Sequence, residues 1–210
     1  MILYHFTTSP FARRVRLALA YKRIPVELRD ARTDAEHNAE LRRLNPLHTV
    51  PVLVDGERVV VDSTAICHYL ERKYPEPPLW PPGLAGAEAF ELTALVDAVL
   101  NILSDVGMRY AALHGDPNFP QVREVAIGRV QRALAVLAAR VDGREFLVGG
   151  QWSAADMHVY TMVAWLAGLP ARAESFAPVR AVVELGWSLP PALLVWAEQH
   201  RQRMDVMALG

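Results

Sequence analysis

At 210 residues, 52% hydrophobic and 21% charged, the chain can bury a substantial core and lies outside the composition of disordered proteins. Its formal net charge of −1 gives no global pull toward nucleic acid or an anionic membrane. A single cysteine, Cys67, excludes an internal disulfide, a CxxC redox pair and a cysteine zinc cluster, and it fits a reducing compartment.

The opening MILYHF reads as a short buried strand and Pro10 to about Tyr21 as a helix, with Phe11, Val15, Ala18 and Leu19 at helical spacing. Residues Pro25 to Leu28 suit a second strand, and Thr33 to Leu44 a helix ending before Asn45-Pro46. PVLVDGERVVV is a hairpin, two β-branched runs around Asp55-Gly56, and Asp62 to Tyr74 is a helix carrying Ile66, Tyr69 and Leu70 on one face. The next stretch, YPEPPLWPPG at 74–83, holds five prolines and reads as a stiff linker. Beyond it the pattern is helical throughout: Glu88 to Leu113, Gln121 to Val141, Ser153 to Leu169, Phe176 to Leu185 and Pro191 to Met207. Domain boundaries are therefore expected at 1–77, 78–86 for the proline-rich linker, and 87–210. No run approaches ~18 apolar residues, so no membrane-spanning helix is expected. The N-terminus has no basic stretch ahead of a long apolar run, so no signal peptide is expected.

Three short stretches carry chemistry or capping. In TTSPFARRVRLAL, Ser9 followed by Pro10 is a favoured helix start, with serine at N-cap and proline at N1. The alternative is that the Ser9 hydroxyl faces a ligand at the positive end of that helix. Asp62-Ser63 likewise suits a helix cap, and equally offers an acceptor for a ligand ammonium and a donor for a carboxylate. Trp152-Ser153-Ala154-Ala155-Asp156-Met157 has the form of a capping box with a hydrophobic staple and reads as structural. The arginines Arg13, Arg14 and Arg16, with Lys22 and Arg23, read mainly as the solvated face of the first helix. Tyr4 reads as a strand residue of the core and Cys67 as a buried, inert thiol. The seven histidines have no metal-ligand spacing, so no metal is expected.

Taken in order, SPFARRVRLAL, NPLHTVPVLVDG, DSTAICHYLERKYP and FLVGGQWSAADMHVY resemble the soluble glutathione transferase family over nearly the whole chain. The resemblance implies a thioredoxin-like α/β N-terminal domain with a mixed four-stranded sheet, an all-α C-terminal domain, and a cytoplasmic homodimer. It implies glutathione as co-substrate, a cis Pro51, Val50 presenting its backbone to the cysteinyl part of glutathione, and Asp62 and Ser63 holding the γ-glutamyl end. Ser9 falls where serine- and cysteine-type members place their catalytic side chain. A hydroxyl there, in place of a thiol, favours conjugation over disulfide exchange. Two positions depart from the common pattern. His48 and Thr49 stand where many relatives have glycine and a lysine or another polar residue, so the cationic contact to the glycine carboxylate either falls to His48 or is missing with His48 a plain loop histidine, and Thr49 stays a candidate glutathione contact. Asp62 stands where many have glutamate. The electrophile pocket is expected between the domains, lined by Asp105, Met108, Arg109 and Ala112 on one helix face and closed by Phe11. The implied activity is thiol activation for attack on a small hydrophobic electrophile. A glutathione-dependent isomerase or disulfide reductase, and a non-catalytic binding or assembly module, are the alternatives.

Overall fold

The computed structural model describes residues 1–113 and 115–208, and their side chains except those of 108–113 and 205–208. The first half runs β1 (Ile2–His5), α1 (Pro10–Tyr21), β2 (Glu27–Asp30), α2 (Ala35–Leu44), β3 (Val52–Asp55), β4 (Arg58–Val61) and α3 (Ser63–Lys73). The second half is helical: α4 (Leu84–Leu113), α5 (Phe119–Val141), α6 (Ala154–Ala167), α7 (Leu169–Ala173), α8 (Ala177–Glu184) and α9 (Pro191–Ala208).

The four strands form one mixed sheet in the order β2-β1-β3-β4, with β1 parallel to β2 and antiparallel to β3. This is the thioredoxin-like arrangement that the resemblance implied. The β3–β4 hairpin closes through Gly56, whose φ of 61° a side-chain-bearing residue rarely adopts. Alternation along the strands sorts the two faces. Leu3 and Leu53 enter the large core with α1 and α3, while Tyr4 and Val52 pack with Leu41 of α2. The large core does not stop at the linker. It continues from Val15, Leu19 and Ile66 through Val96, Leu100, Leu134, Met157 and Trp196.

Several boundaries differ from the sequence reading, each for a local reason. The second strand lies at Glu27–Asp30, not at 25–28, because parallel pairing starts at Ile2↔Glu27 and the preceding residues turn out of α1, with Ile24 N–H bonded to the Leu19 carbonyl. Helix α2 begins at Ala35, where the Asp34 carboxylate caps the amides of Glu36 and His37 at 2.9 and 3.0 Å. Helix α4 starts at Leu84, four residues before Glu88, and α5 at Phe119, two before Gln121. The single helix expected over 153–169 breaks at Gly168. There Arg172 folds back to bond the carbonyls of Gly168 and Trp165 at 3.1 and 3.0 Å, and α7 restarts with Pro170 in its first turn.

Candidate functional site

Strand direction brings the chemistry-bearing segments to one end of the sheet. The C-terminal end of β1 leads into Thr7-Thr8-Ser9 and the N-terminus of α1. The antiparallel pairings Tyr4↔Val52 and Val52↔Val61 set Pro51, just before β3, and Asp62, just after β4, beside it. Two helix N-termini, α1 and α3, therefore open at the same edge. Each contributes the partial positive charge of a helix N-terminus.

Ser9 is the N-cap of α1. Its Oγ accepts from the Ala12 amide at 3.2 Å, and its own amide donates to the Phe6 carbonyl at 3.0 Å. The hydroxyl proton has no acceptor among the described residues, so a half-buried O–H remains free to donate to an incoming anion. The cap uses a lone pair and leaves the proton, so the capping reading does not exclude the ligand-facing one.

The Val50–Pro51 peptide is cis, as the resemblance implied. The loop before it is held by Asn45, which is buried and donates to the Thr49 carbonyl at 2.8 Å and hydroxyl at 3.0 Å. His48 has a φ of 51°, and its Nε2 is buried without a partner. Asp62, with φ 75°, caps α3: Oδ1 accepts from the amides of Thr64 and Ala65 at 2.9 and 3.0 Å. Its second oxygen has no hydrogen-bond partner among the described residues, and the residue is exposed. Ser63 behind it is 1% exposed.

A buried polar network lies beneath both helix starts, where the sequence reading placed a solvated arginine face. Arg14 is fully buried and pairs with Asp97 of α4. Its guanidinium also reaches Ser63 Oγ at 3.5 Å, and Asp97 accepts from Thr64 Oγ1 at 3.0 Å. Lys22 is buried too, donating to the carbonyls of Tyr74 and Pro77 at 2.6 and 2.8 Å and pairing with Glu71. The helical register held the signal for Arg14, which shares a face with buried Pro10 and Ala18. Nothing in the local sequence designates Asp97 as its partner.

The candidate pocket residues divide. Phe11 is half-buried against the core, with the Arg14 guanidinium 5.1 Å from its ring, and Asp105 is exposed on α4. Met108, Arg109 and Ala112 lie outside the residues whose side chains are described. Tyr4 is 2% exposed and donates to Glu40 at 2.5 Å on the α2 face, so it is a core residue of the sheet. Burial pushes the Cys67 thiol up to about 12, leaving it protonated at neutral pH. Among the described residues no cluster of His, Cys, Asp or Glu is set to hold a metal, and no helix is long and apolar enough to cross a membrane.

The fold and this edge define a two-domain protein, a thioredoxin-like α/β unit followed by a helical one. Comparison with known proteins gives the family. Residues 3–78 match the model described as glutathione S-transferase, N-terminal domain, and residues 120–198 match glutathione S-transferase, C-terminal domain. The chain is 32% identical over 169 residues to glutathione S-transferase theta-1 of Bos taurus, spanning 76% of this chain and 70% of that protein. It is 41% identical over 110 residues to a probable maleylacetoacetate isomerase of Vibrio cholerae, spanning 50% of this chain and 49% of that one. Across four curated relatives the match spans from 36% to 65% of their length. A glutathione S-transferase of Methylobacterium radiotolerans, solved with glutathione sulfonate, superposes with a TM-score of 0.68 at 28% identity, covering 93% of each chain. The chain belongs to the glutathione S-transferase family.

Proposed function

We propose that this chain is a glutathione-dependent transferase in which Ser9 donates its free hydroxyl proton to the glutathione sulfur and so stabilises the thiolate. The observation that carries the reading is the Ser9 hydroxyl itself, capping α1 through its lone pair and retaining an unused donor at a helix N-terminus. A free thiol has a reference pKa of ~8.5 and is mostly protonated at neutral pH. A hydrogen bond to a charged acceptor contributes ~1.5–3 kcal/mol, and a helix N-terminus ~0.3–1 kcal/mol. Together these suffice to lower that pKa by about 2, at 1.36 kcal/mol per unit. The activated sulfur then attacks a small hydrophobic electrophile admitted between the domains.

Within this reading, residues 1–77 bind glutathione, the linker expected at 78–86 ends at 83, just before α4 begins, and the helices from α4 onward shape the electrophile side. Val50 offers its backbone to the cysteinyl unit, as a strand edge does to an added strand. The open oxygen of Asp62 and the hydroxyl of Ser63 take the γ-glutamyl group. The unpartnered Nε2 of His48, with Thr49, faces the glycine carboxylate. The working form is a cytoplasmic homodimer.

A second reading, glutathione-dependent isomerisation, is favoured by the similarity to a relative named a probable maleylacetoacetate isomerase. It uses the same thiolate, which adds to a cis-enone and leaves again after bond rotation. A panel of an aryl halide, a disulfide and a cis-enone, each with glutathione, separates conjugation, reduction and isomerisation. The Ser9 step is tested by titrating the thiolate absorbance of bound glutathione on wild type and Ser9→Ala. An identical thiol pKa on both would reduce Ser9 to a helix cap. Failure of the wild type to bind glutathione at all would leave the binding or assembly module as the reading.

A further inference from the structure

We propose that Asp30 and Arg16 are positioning residues for Ser9, clamping the loop that presents it from two sides. The proposal rests on the reading of Ser9 given above. Thr7 and Thr8 are exposed and connect β1 to α1. The turn closes on itself through the Ser9 amide and the Phe6 carbonyl at 3.0 Å, and groups from outside it hold Thr7 as well. Here the fixing groups come from two different elements. Asp30, the last residue of β2, accepts from the Thr7 amide at 3.2 Å and from its hydroxyl at 2.7 Å, both through Oδ2. Its other oxygen takes the Arg32 amide at 2.8 Å, so the carboxylate is itself fixed. From α1, Arg16 donates through Nη2 to the Thr7 carbonyl at 3.1 Å, and its Nη1 lies 2.7 Å from His5 Nδ1. The amide, carbonyl and hydroxyl of Thr7 are therefore all held by charged side chains, two residues before the candidate hydroxyl.

The Arg16–His5 contact has a defined polarity. A guanidinium only donates, so His5 Nδ1 must be bare and the imidazole neutral. Burial, then the Arg16 charge, holds His5 below the usual histidine range, in the same sense. Asp30 from β2 is the other charged group facing His5, and Arg13 is the charge next to Arg16 on α1. An ordinary structural role would need none of this to converge on Thr7. Asp30 alone would cap its own turn through Arg32, and Arg16 alone would cover the helix surface. Their meeting on one exposed residue sets the direction of the Ser9 Oγ, where misplacement by about 1 Å is enough to lose ~100-fold in a positioned reaction.

The test uses glutathione as the only probe and reads the thiolate fraction of the bound tripeptide at neutral pH, with affinity by calorimetry and fold by circular dichroism. Asp30→Ala and Arg16→Met are each expected to lower the bound thiolate-to-thiol ratio by about three- to ten-fold, inside the range of coupling between groups in one network. Arg16→Lys and Asp30→Asn, which keep one donor or one acceptor, are expected to recover part of it. In a Ser9→Ala background, adding Asp30→Ala or Arg16→Met should produce no further fall, since both act through Ser9. Wild-type thiolate in Asp30→Ala and Arg16→Met, beside a clear loss in Ser9→Ala, would overturn the clamp and leave the Ser9 reading intact. Losses that multiply in the double variants would overturn it as well, as would any pattern in which the variants lose glutathione affinity with an unchanged bound-thiol pKa. An unaltered thiolate in Ser9→Ala would instead sink the Ser9 reading, and the clamp with it.

Discussion

Replacing Asp156 by Asn should flatten part of the pH dependence of stability, because this carboxylate is fully buried and charged against the cost of burial. It accepts from the Leu147 amide at 2.8 Å, the Ser153 amide at 2.9 Å and the Ser153 hydroxyl at 2.7 Å. Even with three donors, desolvation raises its pKa from an ordinary 3.8 to about 6. A folded-state pKa above the unfolded one means that the native state binds the proton more tightly. The associated stability is fully present below pH 3.8 and is lost as pH rises through about 6. At about 1.36 kcal/mol per pH unit, the gap is worth about 3 kcal/mol. Other carboxylates act in the opposite sense. Hydrogen bonds from Tyr4 to Glu40 and from Lys73 to Asp55 hold those two below their usual range. The wild-type curve alone therefore mixes signs, and the comparison with Asp156→Asn isolates the buried group. Urea unfolding of both proteins from pH 4 to 7 measures it. The stability advantage of wild type over Asp156→Asn is expected to shrink by about 2 kcal/mol across that window, which opens just above the unfolded pKa. A constant difference over the same range would refute the burial argument and show that the three donors alone set the carboxylate's pKa. Asp156→Ala, which strands two buried amides and a hydroxyl, should cost more than the ~0.5–2 kcal/mol of an ordinary cap.

Removing the partner of the buried Arg14 by Asp97→Ala should destabilise by about 3 kcal/mol, since it leaves a fully buried guanidinium without its counter-charge; thermal melting reads this, and a shift under 2 °C would contradict it. Asp62→Ala is expected to weaken glutathione binding by about 1.5–3 kcal/mol in calorimetry, while Asp62→Asn, which keeps the cap, loses only the charge. At Gly107 an added methyl would run into Val182 where α8 crosses α4, so Gly107→Ala should cost about 1–3 kcal/mol in denaturant unfolding. Ser9→Cys should gain glutathione–disulfide exchange through a mixed disulfide that a hydroxyl cannot form, visible as a glutathione mass adduct.

How much of this was legible beforehand can be read from particular residues. Ser9-Pro10 and Asp62 mark helix starts by their own chemistry. Capping is a local matter of one side chain and the amides two or three residues on, so the sequence determines it. The hairpin around Asp55-Gly56 and the proline-rich stretch after α3 are local in the same way. The α/β-then-helical order followed from the change of hydrophobic period alone. The misread boundaries also have local causes, but ones that needed partners elsewhere. The break at Gly168 depends on Arg172 folding back onto carbonyls of the preceding helix, and β2 takes its register from β1.

The arginines of α1 mark the limit most clearly. Sequence set Arg13, Arg14 and Arg16 side by side as three cations on one amphipathic helix. Only the fold gave them three fates: Arg13 lies over the Tyr160 ring at 5.3 Å, Arg14 is sealed against Asp97, and Arg16 reaches back to Thr7. Asp97 stands 83 residues from Arg14, and Asp30 is 23 from Thr7. A charge is stable in the interior only when a partner meets it there, and sequence spacing carries no record of which partner the packing will supply. The chain by itself thus determined the capped starts of α1 and α3 and the order of strands and helices. Tertiary packing decided which residues face one another, because burial and pairing of charge depend on neighbours brought together across the whole fold.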